Sequence, residues 1–414
     1  MSSATSVRQL EYTAPGALRP MDSARVRLVE RGGLIGTLTL LVLVMPLLYK
    51  AGAVDIIVLN QLGRFLCYAI VAIGVDLIWG YCGILSLCQA MFFVLGGYAM
   101  GMHLALKGPL DGDGIPRALY VVTSIEGFQL PSFWKPFQTL PVTVLLGMLI
   151  PGLVAFVFGY FAFRSRVRGV YFSIITQATV VAAVLIFSRN ETRLCGTNGL
   201  TNFQTLAGFD LGSASVKLGL YFLTVAVVVA VYLISRWIVS SRLGRLMVAV
   251  RDNEVRLRFA GYQPVAVKVF AFTVAGVFAA IGWMLYAPQN GIITPYVMAP
   301  VESVYMVLWV AIGGRGTLSG AVFGAVLVLY VKSILSSKYP DFWPFLEGGL
   351  FIAVVMLIPD GIVGAWRNAT RGERGGSQAL FDRGDVQMPA LGQPSAAAMA
   401  AVEAGEAPAK GVRA

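Results

Sequence analysis

SSRLGRLMVAVRDNEVRLRFAG, residues 240–261, is a short, polar, arginine-rich stretch lodged between two long apolar runs, 221–237 and 265–286. A chain built mostly of apolar runs has one main use for such a segment outside the bilayer: a handle for something soluble. Drawn as a single helix, it puts Arg245, Ala249 and Asp252 on one face and Leu246, Val250 and Asn253 on another. Arg251, Asp252 and Glu254 gather at one end with apolar residues behind them, an arrangement that can lie in a groove and transmit a push. The competing reading is an amphipathic helix resting on lipid headgroups. Acidic Asp252 and Glu254 disfavour an anionic lipid surface.

The rest of the chain agrees with a bilayer on either side of this segment. Hydrophobic residues make up 57% of the sequence and charged residues 13%, with a mean hydropathy of +0.74. A soluble chain would carry about 25% charge. Crossing a ~30 Å hydrocarbon core takes ~20 apolar residues, and ten windows approach that: 33–49, 56–79, 84–106, 141–163, 169–187, 216–238, 265–287, 301–313, 317–337 and 345–365. Strand-type alternation is absent from them, so helices must satisfy the backbone. The expected fold is an all-α polytopic membrane protein of about ten helices, with both termini inside. Segment 301–313 is short for a span and could be a half-helix or re-entrant.

The net charge of +11 does not point to nucleic acid, because of where it sits. Arginines 25, 27 and 31, 164, 166 and 168, 242–258, and 367, 371 and 374 all fall on one side of a ten-crossing topology. That is the positive-inside pattern. Residues 1–32 then form a cytoplasmic tail, 33–365 the membrane domain, and 366–414 an Ala-, Gly- and Pro-rich tail expected to be disordered. About thirty polar residues precede the first apolar run, so no cleavable signal is expected. Cys67, Cys82, Cys88 and Cys195 have neither metal nor pairing spacing and read as small core residues. The sole histidine, His103, excludes a histidine-based metal site.

Two loops, 107–140 and 188–215, fall outside in this topology and read as a docking surface for a delivery protein. Candidate pathway residues are uncharged. Within the glycine-rich stretch 80–101, Ser86 and Gln89 offer hydrogen bonds beside Phe92 and Phe93; a tight helix seam is the plain structural alternative. Thr197 and Asn198 sit in the turn sequence G-T-N-G-L, read as a gate or docking loop, or simply as a turn. Both groups suit a neutral, multiply hydrogen-bonding solute. Of the intramembrane charges, Arg64 and Asp76 lie about three helical turns apart on one run and read as structural; Glu302 opens a later run. The pattern G-x-L-S followed by Phe recurs at 83–92 and 316–323, a faint sign of two related halves. No G-x-x-x-x-G-K-[ST] occurs, so nucleotide hydrolysis belongs on another chain.

Four ordered motifs carry a family resemblance: G-x-L-S-L-x-Q-A-x-F-F-x-x-G-G-Y at 83–98, G-T-N-G-L at 196–200, G-R-x-x-x-A-V-R-D-N-E at 244–254 and G-G-R-G-T-L-S-G at 313–320. They resemble permease subunits of branched-chain-amino-acid-type ABC importers, over roughly residues 35–365. G-G-Y-A-M-G-M at 96–102, L-P-x-F-W at 130–134 and L-I-P-D-G-I-V at 357–363 are most similar to the urea-importer permeases of that family. One departure is Cys88, where the family usually has glycine.

The resemblance implies a multi-pass bacterial inner-membrane protein working with a second related permease, two ABC ATPases and an extracytoplasmic solute-binding protein. ATP and Mg would be bound on the ATPases, and no cofactor on this chain. Gly244, Arg245, Arg251, Asp252, Asn253 and Glu254 would match the segment that couples to an ATPase. The expected cargo is urea or a short amide. The alternatives are a branched-chain amino acid and, in another class, proton-coupled secondary transport with Asp76 as the titrating group. A membrane enzyme is harder to assemble, since the chain offers few intramembrane acid–base groups.

Overall fold

Seven helices among the described residues are long and apolar enough to cross a membrane. The computed structural model describes residues 45–52, 55–108, 132–165, 167, 169–342, 345–349, 352 and 361–363. The expected spans 33–49 and 345–365 therefore lie largely outside the described residues, as do both tails and residues 109–131.

After a short helix at Met45–Lys50, α1 (Ile56–Asp76) closes in a π-helical turn, Leu77–Tyr81. Then come α2 (Gln89–Leu106), α3 (Leu140–Arg164), α4 (Val170–Phe187), α5 (Ala214–Ser240), α6 (Arg242–Phe259), α7 (Pro264–Asn290), α8 (Pro300–Gly313) and α9 (Leu318–Lys338). Prolines open α3, α7 and α8, where a missing N–H costs nothing. Ser213 caps α5 by accepting from the Val216 N–H, and Ser241 caps α6 by accepting from Leu243 and Gly244. Ser241 thereby ends one helix and starts the next, which sets the sharp corner between α5 and α6.

Two expectations change. The window 84–106 is helical only from Gln89, and 82–88 is non-helical. The window 301–313 is the 14-residue α8, about 21 Å at 1.5 Å per residue. That is too short to span, and α8 is a half-helix.

α7 is the central helix, packed on α2, α3 and α1; α1 also meets α5 and α9, and α8 pairs with α9. α2 is buried along nearly its whole length. Its close approach to α7 depends on glycine: a methyl at Gly96 would overlap the Ala280 backbone, and one at Gly97 the Trp283 ring. Phe93 packs on Tyr68, Trp283 and Tyr286, and Phe92 edge-on to Phe272. By contrast α3 and α4 turn out Leu145, Leu149, Phe161, Ile174 and Leu185, an apolar face fit for lipid.

Loop 188–215 is more ordered than expected. It holds β1 (Leu200–Thr201), β2 (Thr205–Leu206) and β3 (Phe209–Asp210); β2 and β3 form a hairpin across Ala207 and Gly208, both at positive φ. β1 pairs antiparallel with β4 (Ile292–Ile293), just after α7. Strands of two residues are too short for any periodicity to reveal. All four cysteines are buried and free, and burial pushes the Cys195 thiol up to about 12.

Candidate functional site

The non-helical stretch 82–88 sits between α1 and α2, with Cys82, Ser86 and Cys88 buried and Gly83 exposed. At membrane depth an unsatisfied N–H or C=O costs several kcal/mol, so irregular backbone persists only where protein supplies partners. Hydroxyls from two other helices do so. Thr176 on α4 accepts from the Leu87 N–H at 3.2 Å, and Ser173 donates to the Leu85 carbonyl at 2.9 Å. Ser303 on α8 accepts from the Ala90 N–H at 3.2 Å. Ser86 is buried and its Oγ lies 3.3 Å from Cys88 Sγ. Gln89 is 1% exposed, yet neither amide atom has a partner among the described residues. A buried amide left this way calls for an explanation.

The end of α1 nearest α6 is tied down from two sides. Arg251 on α6 donates from Nη1 to the Gly80 carbonyl at 2.8 Å, and its Nε donates to Asp252 at 3.1 Å. Gly83, at φ +75°, lies against the Arg251 stem, where a Cβ would come within 2.6 Å of Cγ. From the α8–α9 loop, Arg315 donates to the Trp79 carbonyl at 3.1 and 3.2 Å and covers the Trp79 ring at 4.8 Å. The Gly316 N–H donates to Asp76 at 2.7 Å. Two guanidiniums thus bond carbonyls of the π-helical turn that closes α1, where the helix dipole is negative. Burial lowers the Arg315 pKa, Arg251 lowers it further, and Asp76 opposes both. The two G-x-L-S sites, 83–86 and 316–319, adjoin this one junction.

α6 departs from the single helix drawn from sequence. Asn253 is extended (φ −159°, ψ 93°), and its side chain accepts from the Arg256 N–H at 2.9 Å, capping a second short helical piece. Asn253 therefore does not continue the Leu246–Val250 face. Glu254 pairs with Arg258 at 2.7 Å and with Lys268 of α7 at 2.8 Å. Arg251 and Glu254 face the membrane domain; Arg242, Arg245, Asp252 and Asn253 are exposed, and Gly244 is buried at the α5–α6 corner.

Ser86 lies in the broken segment and Gln89 opens α2 just after it, with Phe92 and Phe93 beyond them in the core. Thr197 and Asn198 are exposed on the 3-10 turn Gly196–Asn198, at the other end of the fold, next to β1. Ser173, Thr176, Ser303 and Arg315 went unnoticed in the sequence. Hydroxyl residues spaced i, i+3 inside an apolar run, as at 173 and 176, were the available signal.

A family model described as branched-chain amino acid transport system / permease component matches residues 57–355. The high-affinity branched-chain amino acid transport system permease protein LivM of Salmonella typhimurium is 24% identical over 340 residues, 77% of this chain and 71% of that protein. The Escherichia coli K12 protein of the same name is 24% identical over 348 residues, 79% and 73% of the two chains. The ribose import permease RbsC of Haemophilus influenzae is 21% identical over 337 residues, 80% and 93%. No solved structure matches the chain. With the family match spanning all seven apolar crossings, this chain belongs to the branched-chain amino acid transport system permease family and is a multi-pass protein of the inner membrane.

Proposed function

We propose that the chain is one permease subunit of an ATP-driven importer for branched-chain or similar neutral amino acids. The observation that carries this is the family match over 57–355, supported by the relatives named LivM. The expected urea or amide cargo gives way: those relatives favour the alternative, and nothing in them favours urea. The partners would be a second permease of the same family, two ATPases carrying ATP and Mg, and an extracytoplasmic binding protein.

Arg164 at the end of α3 and the arginines of α6 lie at one end of the fold, since Lys268 of α7 sits over the Phe163 ring at 5.9 Å. The positive-inside rule makes that end cytoplasmic, and both termini would lie there if the outlying windows also cross. An ATPase would dock on the exposed residues Arg242, Arg245, Asp252 and Asn253. Its movement would pass through Arg251 to Gly80 and Gly83, and so into 84–88. Ser86 and the unpaired amide of Gln89 are the groups best set to meet a solute when that segment moves, beside Phe92 and Phe93. Thr197 and Asn198, at the opposite end, would face the binding protein.

Deleting the gene and measuring uptake of radiolabelled leucine and urea at low micromolar concentration tests the cargo. Loss of leucine uptake with urea uptake intact is expected. Loss of urea uptake alone would reverse the assignment.

A further inference from the structure

Asp76 is the last residue of α1 before the π-helical turn, and it is fully buried. Its Oδ1 accepts from the Gly316 N–H at 2.7 Å, and its Oδ2 has no hydrogen-bond partner among the described residues. A buried carboxylate is a costly way to hold one N–H. Asparagine has the same shape, would accept the same bond and would bring no charge into the interior. The charge itself needs a reason.

Two cations converge on the turn that follows it. Arg315 takes the Trp79 carbonyl at 3.1 Å and Arg251 the Gly80 carbonyl at 2.8 Å. Both acceptors touch the surroundings of the carboxylate. Gly316, bonded to Asp76, is the residue next to Arg315, and Gly80 packs so closely that a Cβ there would overlap Asp76 Oδ1. Arg251 has a carboxylate of its own, Asp252 at 3.1 Å, whereas Arg315 forms no ion pair among the described residues. Arg315 feels Arg251 as a like charge and Asp76 as its counter-charge. Two guanidiniums that repel each other, one from α6 and one from the α8–α9 loop, thus share one helix end with a single buried anion.

We infer that Asp76 is a positioning residue for coupling: its charge, beyond its hydrogen bond, keeps Arg251 and Arg315 together on the end of α1. With both held there, α6 and the α8–α9 loop move as one unit. The inference rests on the importer reading above and extends it. A displacement of α6 reaches α8 as well as 82–88, and Ser303 of α8 in turn holds the Ala90 N–H at the start of α2. The broken segment is then driven from both its ends.

The test uses the assembled importer, with second permease, ATPases and binding protein, reconstituted in proteoliposomes, and reads leucine moved per ATP hydrolysed. Asp76→Asn keeps an acceptor for the Gly316 N–H and should still lower the ratio severalfold, with the ATPase bound and hydrolysing. Arg315→Gln should lower it too. The double variant should be no worse than the worse single one, since groups that act as a unit are not additive. An unimpaired Asp76→Asn importer would overturn the inference, leaving the hydrogen bond as the whole of the role. A double variant whose loss is the product of the two single losses would also overturn it, and so would loss of the ATPase from the Asp76→Asn complex. Wild-type complexes that move urea and not leucine would overturn the cargo reading alone, and the same ratios would then be read with urea.

Discussion

Arg251 of α6 donates a 2.8 Å hydrogen bond to the carbonyl of Gly80, in the last turn before the chain leaves helix for 82–88. A polar helix is thereby joined, through one guanidinium, to the non-helical stretch between α1 and α2. Arg315 holds the neighbouring carbonyl of Trp79 from the α8–α9 loop. Displacing α6 must displace Gly80 or break this bond.

Docking and transmission should separate by mutation. Arg245 is exposed, and Arg251 is turned inward. Arg245→Glu should reduce co-purification of the ATPase, whereas Arg251→Ala should leave it near wild type. Pull-down of the ATPase with each variant checks this; equal loss in both would mean that Arg251 also contacts the partner.

Gly80→Ala should destabilise the junction. A methyl there would overlap the Asp76 carboxylate and stand 2.6 Å from the Gly316 nitrogen, both already bonded to each other. Overpacking of this kind costs about 1–3 kcal/mol. Thermal unfolding of the detergent-solubilised protein should show a lowered midpoint, and an unchanged midpoint would mean the junction relaxes freely.

Asn253→Ala should loosen the second half of α6. The substitution removes the cap on the Arg256 N–H, worth about 1 kcal/mol. Hydrogen exchange over 254–259 should speed up while exchange over 242–250 stays as it was. Uniform change along α6 would contradict the break at Asn253.

Cys195 should resist alkylation. Burial pushes its thiol up to about 12, so at pH 8 it stays protonated as well as covered. Maleimide labelling of the folded protein should be slow and should become rapid on unfolding. Prompt labelling would mean that the loop holding Cys195 opens readily.

The membrane class and seven of the crossings were legible because apolar length is a property of the chain alone. The break at 82–88 was not, since Ile84, Leu85 and Leu87 continue an apolar pattern that hydropathy scores as helix. What ends the helix is tertiary: Ser173, Thr176 and Ser303 arrive from α4 and α8 to satisfy a backbone that would otherwise have to coil. The inward turn of Arg251 and Glu254 was equally hidden, because their partners, Gly80 and Lys268, belong to other helices.

Transport per ATP hydrolysed is the quantity to measure, in proteoliposomes carrying the complete importer with wild-type chain or with Arg251→Ala. If the Arg251–Gly80 bond carries the stroke into the membrane, the variant should keep its ATPase bound and hydrolysing while leucine moved per ATP falls severalfold. An unchanged ratio would show that the movement reaches the pathway by another route.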